Sequence, residues 1–119
     1  MSGFTPELKA KIRERDNFQC QRGGWAVHPG EVHHRKPRGM GGSKAPDANS
    51  PARLVLLCGD CHRWVERNRD EAKLGGWLLE PGDDPEATPI LAYDGIRYIL
   101  RDDLTRTPTG WIAEEVPTG

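Results

Sequence analysis

The chain has three cysteines, and two of them, Cys58 and Cys61, are separated by Gly59-Asp60 and followed at once by His62. Two thiols at that spacing are brought onto one tetrahedral ion by a tight turn, which is half of a zinc knuckle. Cys20, far upstream, is the other thiol and offers a third ligand. The first residues, MSGFTPELKAKIRERD, are charged and helical and hold no apolar h-region. No signal peptide is therefore expected, and the thiols of a cytoplasmic chain are expected to be reduced or metal-bound rather than paired. The longest strongly apolar run is Leu54 to Cys58, far short of the ~18 residues of a membrane span.

A chain of 119 residues suits one domain, since domains commonly run ~100–150 residues. Hydrophobic residues make up 35% of it and the mean hydropathy is −0.73. Such a chain builds a small core that needs added support, and a structural metal is one form of support. The 14 glycines and 10 prolines predict long loops and few helices.

Charge is divided unevenly. Residues 1–67 hold 12 Lys/Arg against 7 Asp/Glu, a net of +5, whereas residues 68–119 hold 5 against 11, a net of −6. All four histidines and all three cysteines lie in the basic half. A basic segment suits a polyanion, because clustered Lys/Arg displace counterions from a phosphate backbone.

Thr5 and Pro6 are an N-cap and first position for a helix running to about Arg15, with Leu8 and Ile12 on one face. Phe18 to Cys20 and Trp25 to Val27 read as short strands around Gly23-Gly24, and Glu31 to Lys36 as a strand stopped by Pro37. Residues 38–52 form a long loop rich in Gly, Pro, Ser and Asn, a kind of segment that is often functional. Leu54 to Leu57 re-enters the core, and a helix follows from about Cys61 to Arg67. Asn68 and Glu71 resemble a capping box for a second helix ended by Gly75-Gly76. Beyond it, Trp77–Glu80, Pro89–Tyr93, Ile96–Leu100 and Trp111–Val116 read as strands, with Asp94-Gly95 as a hairpin turn. The tryptophans are expected to pack rather than stack on bases.

His33 and His34 are adjacent on the expected strand and so face opposite sides, one toward a metal and the other elsewhere. The sequence Val32-His33-His34-Arg35-Lys36-Pro37, the Gly-rich loop Arg38 to Ser43, and Leu54-Val55-Leu56-Leu57-Cys58-Gly59-Asp60-Cys61-His62 together resemble the HNH endonucleases. These are nucleases built on a ββα-metal, or His-Me, finger. Arg15 to Arg22 resembles the usual lead-in, and the likeness extends over about residues 13–67. It is nearest to the small HNH proteins of tailed bacteriophages.

The resemblance implies an α+β fold, with a ββα-metal finger, an N-terminal helix and a C-terminal set of short antiparallel strands. It divides the chain into a nuclease domain, residues 1–76, and an acidic β-rich extension, residues 77–119, packed on or next to it. It implies a hydrolase that cuts DNA to leave 5′-phosphate and 3′-hydroxyl ends. His34 would be the general base, an imidazole that titrates near neutral pH. His33 and His62 would hold one catalytic divalent cation: magnesium, manganese, nickel or zinc. In the phage proteins the nuclease works with the terminase that packages DNA, so DNA and terminase are the implied partners and the bacterial host cytoplasm the implied setting.

The chain departs from the family in two places. The family often has a second Cys three residues after the first, completing a four-cysteine structural zinc. Here that position is Gly23. The fourth ligand is then His28 or water, or the site holds no metal and Cys20, Cys58 and Cys61 are small core residues. The family's middle Asn, which orients the loop holding the base, is replaced by Arg53. Asn49, four residues earlier, is the nearest candidate for that task. Arg35, Lys36, Arg38, Lys44, Arg53 and Arg63 are candidates for contacts to DNA phosphates, which position a duplex without reading its sequence. Two other readings stand beside the enzyme. One is a catalytically weak zinc-knuckle DNA-binding accessory of a larger complex. The other is an interaction protein that works through its acidic strands.

Overall fold

The computed structural model describes residues 5–35 and 50–109. Lys36, Arg38, Lys44, Asn49 and the expected strand Trp111–Val116 lie outside the described residues. The fold is α+β, with helices and short strands arranged in two antiparallel sheets.

Helix α1 spans Pro6–Arg15. Thr5 Oγ1 accepts from the Leu8 amide at 3.0 Å, satisfying one of the donors that a helix start leaves orphaned. Ile12 is its buried residue. Asp16 follows at the C-cap and is fully buried. Its carboxylate accepts from Arg15 Nε at 2.8 Å, from the Leu56 amide at 3.0 Å and from Arg106 Nη1 at 3.4 Å. One side chain thereby ties α1 to two strands distant in sequence.

Strands β1 (Glu31–His34) and β2 (Leu54–Leu57) pair antiparallel, His33 opposite Val55 and His34 opposite Leu54. All four residues of β2 are buried. Each such aliphatic side chain contributes roughly 1.5–3 kcal/mol by leaving water. Helix α2 (Gly59–Arg67) begins directly after β2, with Cys58 as its cap: the Cys58 sulfur accepts from the Cys61 amide at 3.3 Å. Helix α3 (Arg69–Leu74) follows. The expected capping box is not made there, because Asn68 Nδ2 donates back to the Trp64 carbonyl at 2.9 Å.

Strands β3 (Ile90–Leu91), β4 (Arg97–Leu100) and β5 (Arg106–Pro108) form the second sheet, in that order. Three expectations change. Gln19 and Ala26 form one isolated bridge rather than a strand pair. Residues 77–80 are not a strand: the Trp77 carbonyl and the Leu79 amide are engaged by His33 and by the Arg35 carbonyl instead. Trp25 is 53% exposed rather than packed inside. Val55, Leu57 and Val65 share one core with Trp77, Ile90 and Leu100, so the C-terminal segment packs onto the β1–β2–α2 unit.

Candidate metal centres

The regular register of β1 puts Glu31, His33 and Arg35 on one face and Val32 and His34 on the other. The first face looks onto α2. The rings of His33 and His62 meet edge to face with centroids 5.0 Å apart. Glu66 lies four residues after His62, one helical turn along the same face. One ligand atom from each of His33, His62 and Glu66 falls within 4.8 Å of the others.

Each imidazole already has one nitrogen engaged. His33 Nε2 lies 2.8 Å from the Trp77 carbonyl. A carbonyl only accepts, so Nε2 carries the proton and Nδ1 keeps its lone pair. Burial lowers the His33 pKa to about 4, against the opposing pull of that carbonyl, so the ring is neutral at pH 7. His62 Nδ1 donates to Glu31 Oε1 at 2.5 Å, leaving Nε2 for a ligand. Hydrogen bonds of this kind fix the tautomer and orientation of a metal-binding His. Two imidazoles and a carboxylate fit a divalent cation such as zinc, nickel or manganese. His33 is buried, whereas the His62 side chain is 35% exposed and that of Glu66 38%. The group is thus open to solvent on one side, as a substrate-binding metal site must be.

A second group brings Cys20, Cys58 and Cys61 within the same mutual distance. Burial pushes the Cys61 thiol up to about 12, against a hydrogen bond from Arg22. Arg22 Nη1 lies 3.5 Å from the Cys61 sulfur and its guanidinium stacks 3.6 Å over the Trp64 ring. At Cys58 burial also raises the pKa, but hydrogen bonds to the sulfur outweigh it and lower it overall. The donor set is that of a zinc site, short of one ligand.

Comparison with known proteins gives no significant match to any family model, curated protein or solved structure. Residue geometry alone therefore supports a functional reading of these two groups.

Several site expectations meet, and others do not. His33 and His62 come together, as do the three cysteines. His34 sits half-buried on the opposite face of β1, beside Val32. His28 is outside the thiol group and lines a cleft against α1 with Phe18 and Pro29. Arg35 is a correction. It is fully buried, and its guanidinium donates to the carbonyls of Gly76 at 2.8 Å and Ala52 at 2.6 Å, and to those of Pro85 and Thr88. Four of its five N–H donors are spent on carbonyls and the side chain is fully buried, so it is out of reach of a DNA phosphate. Burial lowers its pKa to about 9, which leaves it charged at pH 7. Arg53 is half-buried at the end of a 3-10 turn, Pro51–Arg53. Arg63 is exposed on α2 and paired with Asp60. Lys36, Arg38, Lys44 and Asn49 lie outside the described residues.

Two residues of the cation group were not singled out in the sequence. Glu66 carries the i, i+4 spacing from His62, and Glu31 the i, i+2 spacing from His33. Both spacings are visible once the strand and the helix are assigned.

Proposed function

We propose that this chain is a metal-dependent DNA endonuclease that hydrolyses phosphodiester bonds with a single divalent cation. The observation that carries this reading is the His33–His62–Glu66 group, with the second nitrogen of each imidazole already held by Trp77 and Glu31. A divalent cation bound there would supply Lewis-acid stabilisation of charge on the phosphoryl and leaving oxygens. His34 takes the proton from the attacking water. It follows His33 directly on β1, so the base and a cation ligand leave the strand from adjacent residues. Arg63 and the basic residues 36–53 would hold the backbone. The resemblance to phage HNH proteins suggests DNA processing beside a terminase in the host cytoplasm.

A catalytically weak DNA-binding accessory is the second reading. It is favoured by Arg69, which holds Glu66 Oε1 at 3.3 Å and must be displaced if that oxygen is to bind a cation. Plasmid nicking with magnesium or manganese, with and without EDTA, separates the two. The enzyme reading predicts nicking that EDTA abolishes and that falls roughly 10²–10⁴-fold in His34→Ala, the usual loss for a general base. Intact plasmid with either metal, from folded protein, favours the accessory.

A further inference from the structure

The two arms of the thiol group are turns of one kind. In the second, the Cys61 amide donates to the Cys58 sulfur at 3.3 Å. In the first, the Gly23 amide donates to the Cys20 sulfur at 3.2 Å. The spacing and the hydrogen bond are the same, but one turn presents two thiols and the other a thiol and a glycine. The direction of a side chain at residue 23 is occupied by something else. A Cβ built there would meet the Trp25 ring carbons at 2.4 to 2.7 Å. The Trp25 side chain also acts on the Cys58 thiol and lowers its pKa, and an indole is a donor only. The Trp25 ring thus lies over the place where a fourth protein ligand would stand.

Trp25 is reached from solvent. It is 53% exposed and lines a groove of about 660 Å³ with Arg22, Gly23, Trp64 and Tyr93. Charge adds a second constraint. Three thiolates and a divalent zinc carry −1, which the single guanidinium of Arg22 beside Cys61 balances. A fourth thiolate would leave the centre one charge further negative, with no cation other than Arg22 at the sulfurs among the described residues. A neutral fourth donor suits the surroundings better.

We infer that the thiol group binds zinc through three protein ligands, with the fourth position under Trp25 open to an exchangeable neutral donor, water at rest and imidazole-type ligands when supplied. The zinc is then an exchangeable centre reached from the aromatic groove, unlike a closed four-cysteine site. This inference is independent of the nuclease reading, since it concerns the thiol group alone.

The test uses the full chain with His62→Ala, so that the thiol group alone reports, loaded with cobalt in place of zinc. Thiolate-to-cobalt charge transfer identifies the site, and imidazole is titrated against the cobalt d–d bands. X-ray absorption of the zinc form counts the sulfurs. The expected result is three sulfurs and one light atom, with a saturable shift of the bands by imidazole. Adding Gly23→Cys should abolish that shift and slow zinc transfer to a chelator. Trp25→Ala, which uncovers the fourth position, should raise the affinity of the cobalt form for imidazole. Cobalt bands indifferent to imidazole, or no charge-transfer band at all, would overturn the inference. The sulfur count of the His62→Ala parent and the imidazole affinity of Trp25→Ala decide it even where Gly23→Cys does not fold.

Discussion

Glu31 Oε1 lies 2.5 Å from His62 Nδ1, so a carboxylate on β1 fixes the ring of an imidazole on α2. Glu31 also shares the face of β1 that carries His33. One strand therefore supplies a ligand and the group that orients its neighbour. The relation makes Glu31 a positioning residue. In Glu31→Gln the amide can still accept from Nδ1, but the negative charge that raises the basicity of Nε2 is lost. Calorimetry with manganese should give a 10–100-fold weaker affinity, the usual loss for such partners. Circular dichroism should be unchanged. An unchanged affinity would mean that His62 is not a ligand.

Burial holds the His33 pKa at about 4, below its ordinary 6.5. Between these values the unfolded chain binds a proton that the folded chain does not. Stability at pH 7 is therefore intact and is lost as pH falls from about 6.5 toward 4, by roughly 3 kcal/mol in total. Urea denaturation of the metal-free protein at pH 7 and pH 4.5 measures it. His33→Gln should remove most of that slope, and a wild-type slope in the variant would contradict the assignment.

Asp16 is fully buried, and Arg15 beside it is 2% exposed. Removing the carboxylate leaves a buried guanidinium without its counter-charge. Asp16→Ala should cost ~3–5 kcal/mol, as breaking a buried pair usually does. A loss under ~1 kcal/mol, the scale of surface pairs, would show that water replaces the carboxylate. Denaturant midpoints of the two proteins decide between these.

Arg35 and Arg63 should behave oppositely. Arg35→Met strips the carbonyls of Ala52, Gly76, Pro85 and Thr88 of their donor. Each hydrogen bond to a charged group contributes ~1.5–3 kcal/mol, so several kcal/mol of stability should go while DNA affinity per folded molecule holds. Arg63→Ala removes an exposed side chain. Stability should hold, and the salt slope of DNA binding should fall by about 1. DNA binding insensitive to salt would exclude both DNA readings.

Local chemistry made much of the fold legible. Thr5-Pro6 starts α1, and Glu31 to His34 is β1. Cys58-x-x-Cys61-His62 carries the start of α2, although the helix begins two residues before the expected Cys61 because the Cys58 sulfur caps it. What was not legible depends on distant partners. Arg35 follows buried His33 by two residues on the same face of β1, but its acceptors lie 17 to 53 residues away in sequence and are all carbonyls, which no side-chain pattern announces. Trp77 to Glu80 has the composition of a strand, yet its backbone groups are taken by His33 and Arg35. Strand β5, Arg-Thr-Pro, is short and polar with a proline, as an edge strand can be. Of the cation site, His33 and His62 were legible through the resemblance that their motifs carry. Glu66 became so only with α2 in place.

The most direct test of the central claim pairs two readouts on the same samples. Manganese is titrated into wild type, His62→Ala and Glu66→Gln, and each mixture is then assayed for nicking of supercoiled plasmid. The account predicts that wild type binds manganese and nicks DNA with the same metal dependence. Both variants, still folded, should lose binding and nicking together. Full nicking by His62→Ala at manganese concentrations where it binds no metal would contradict it.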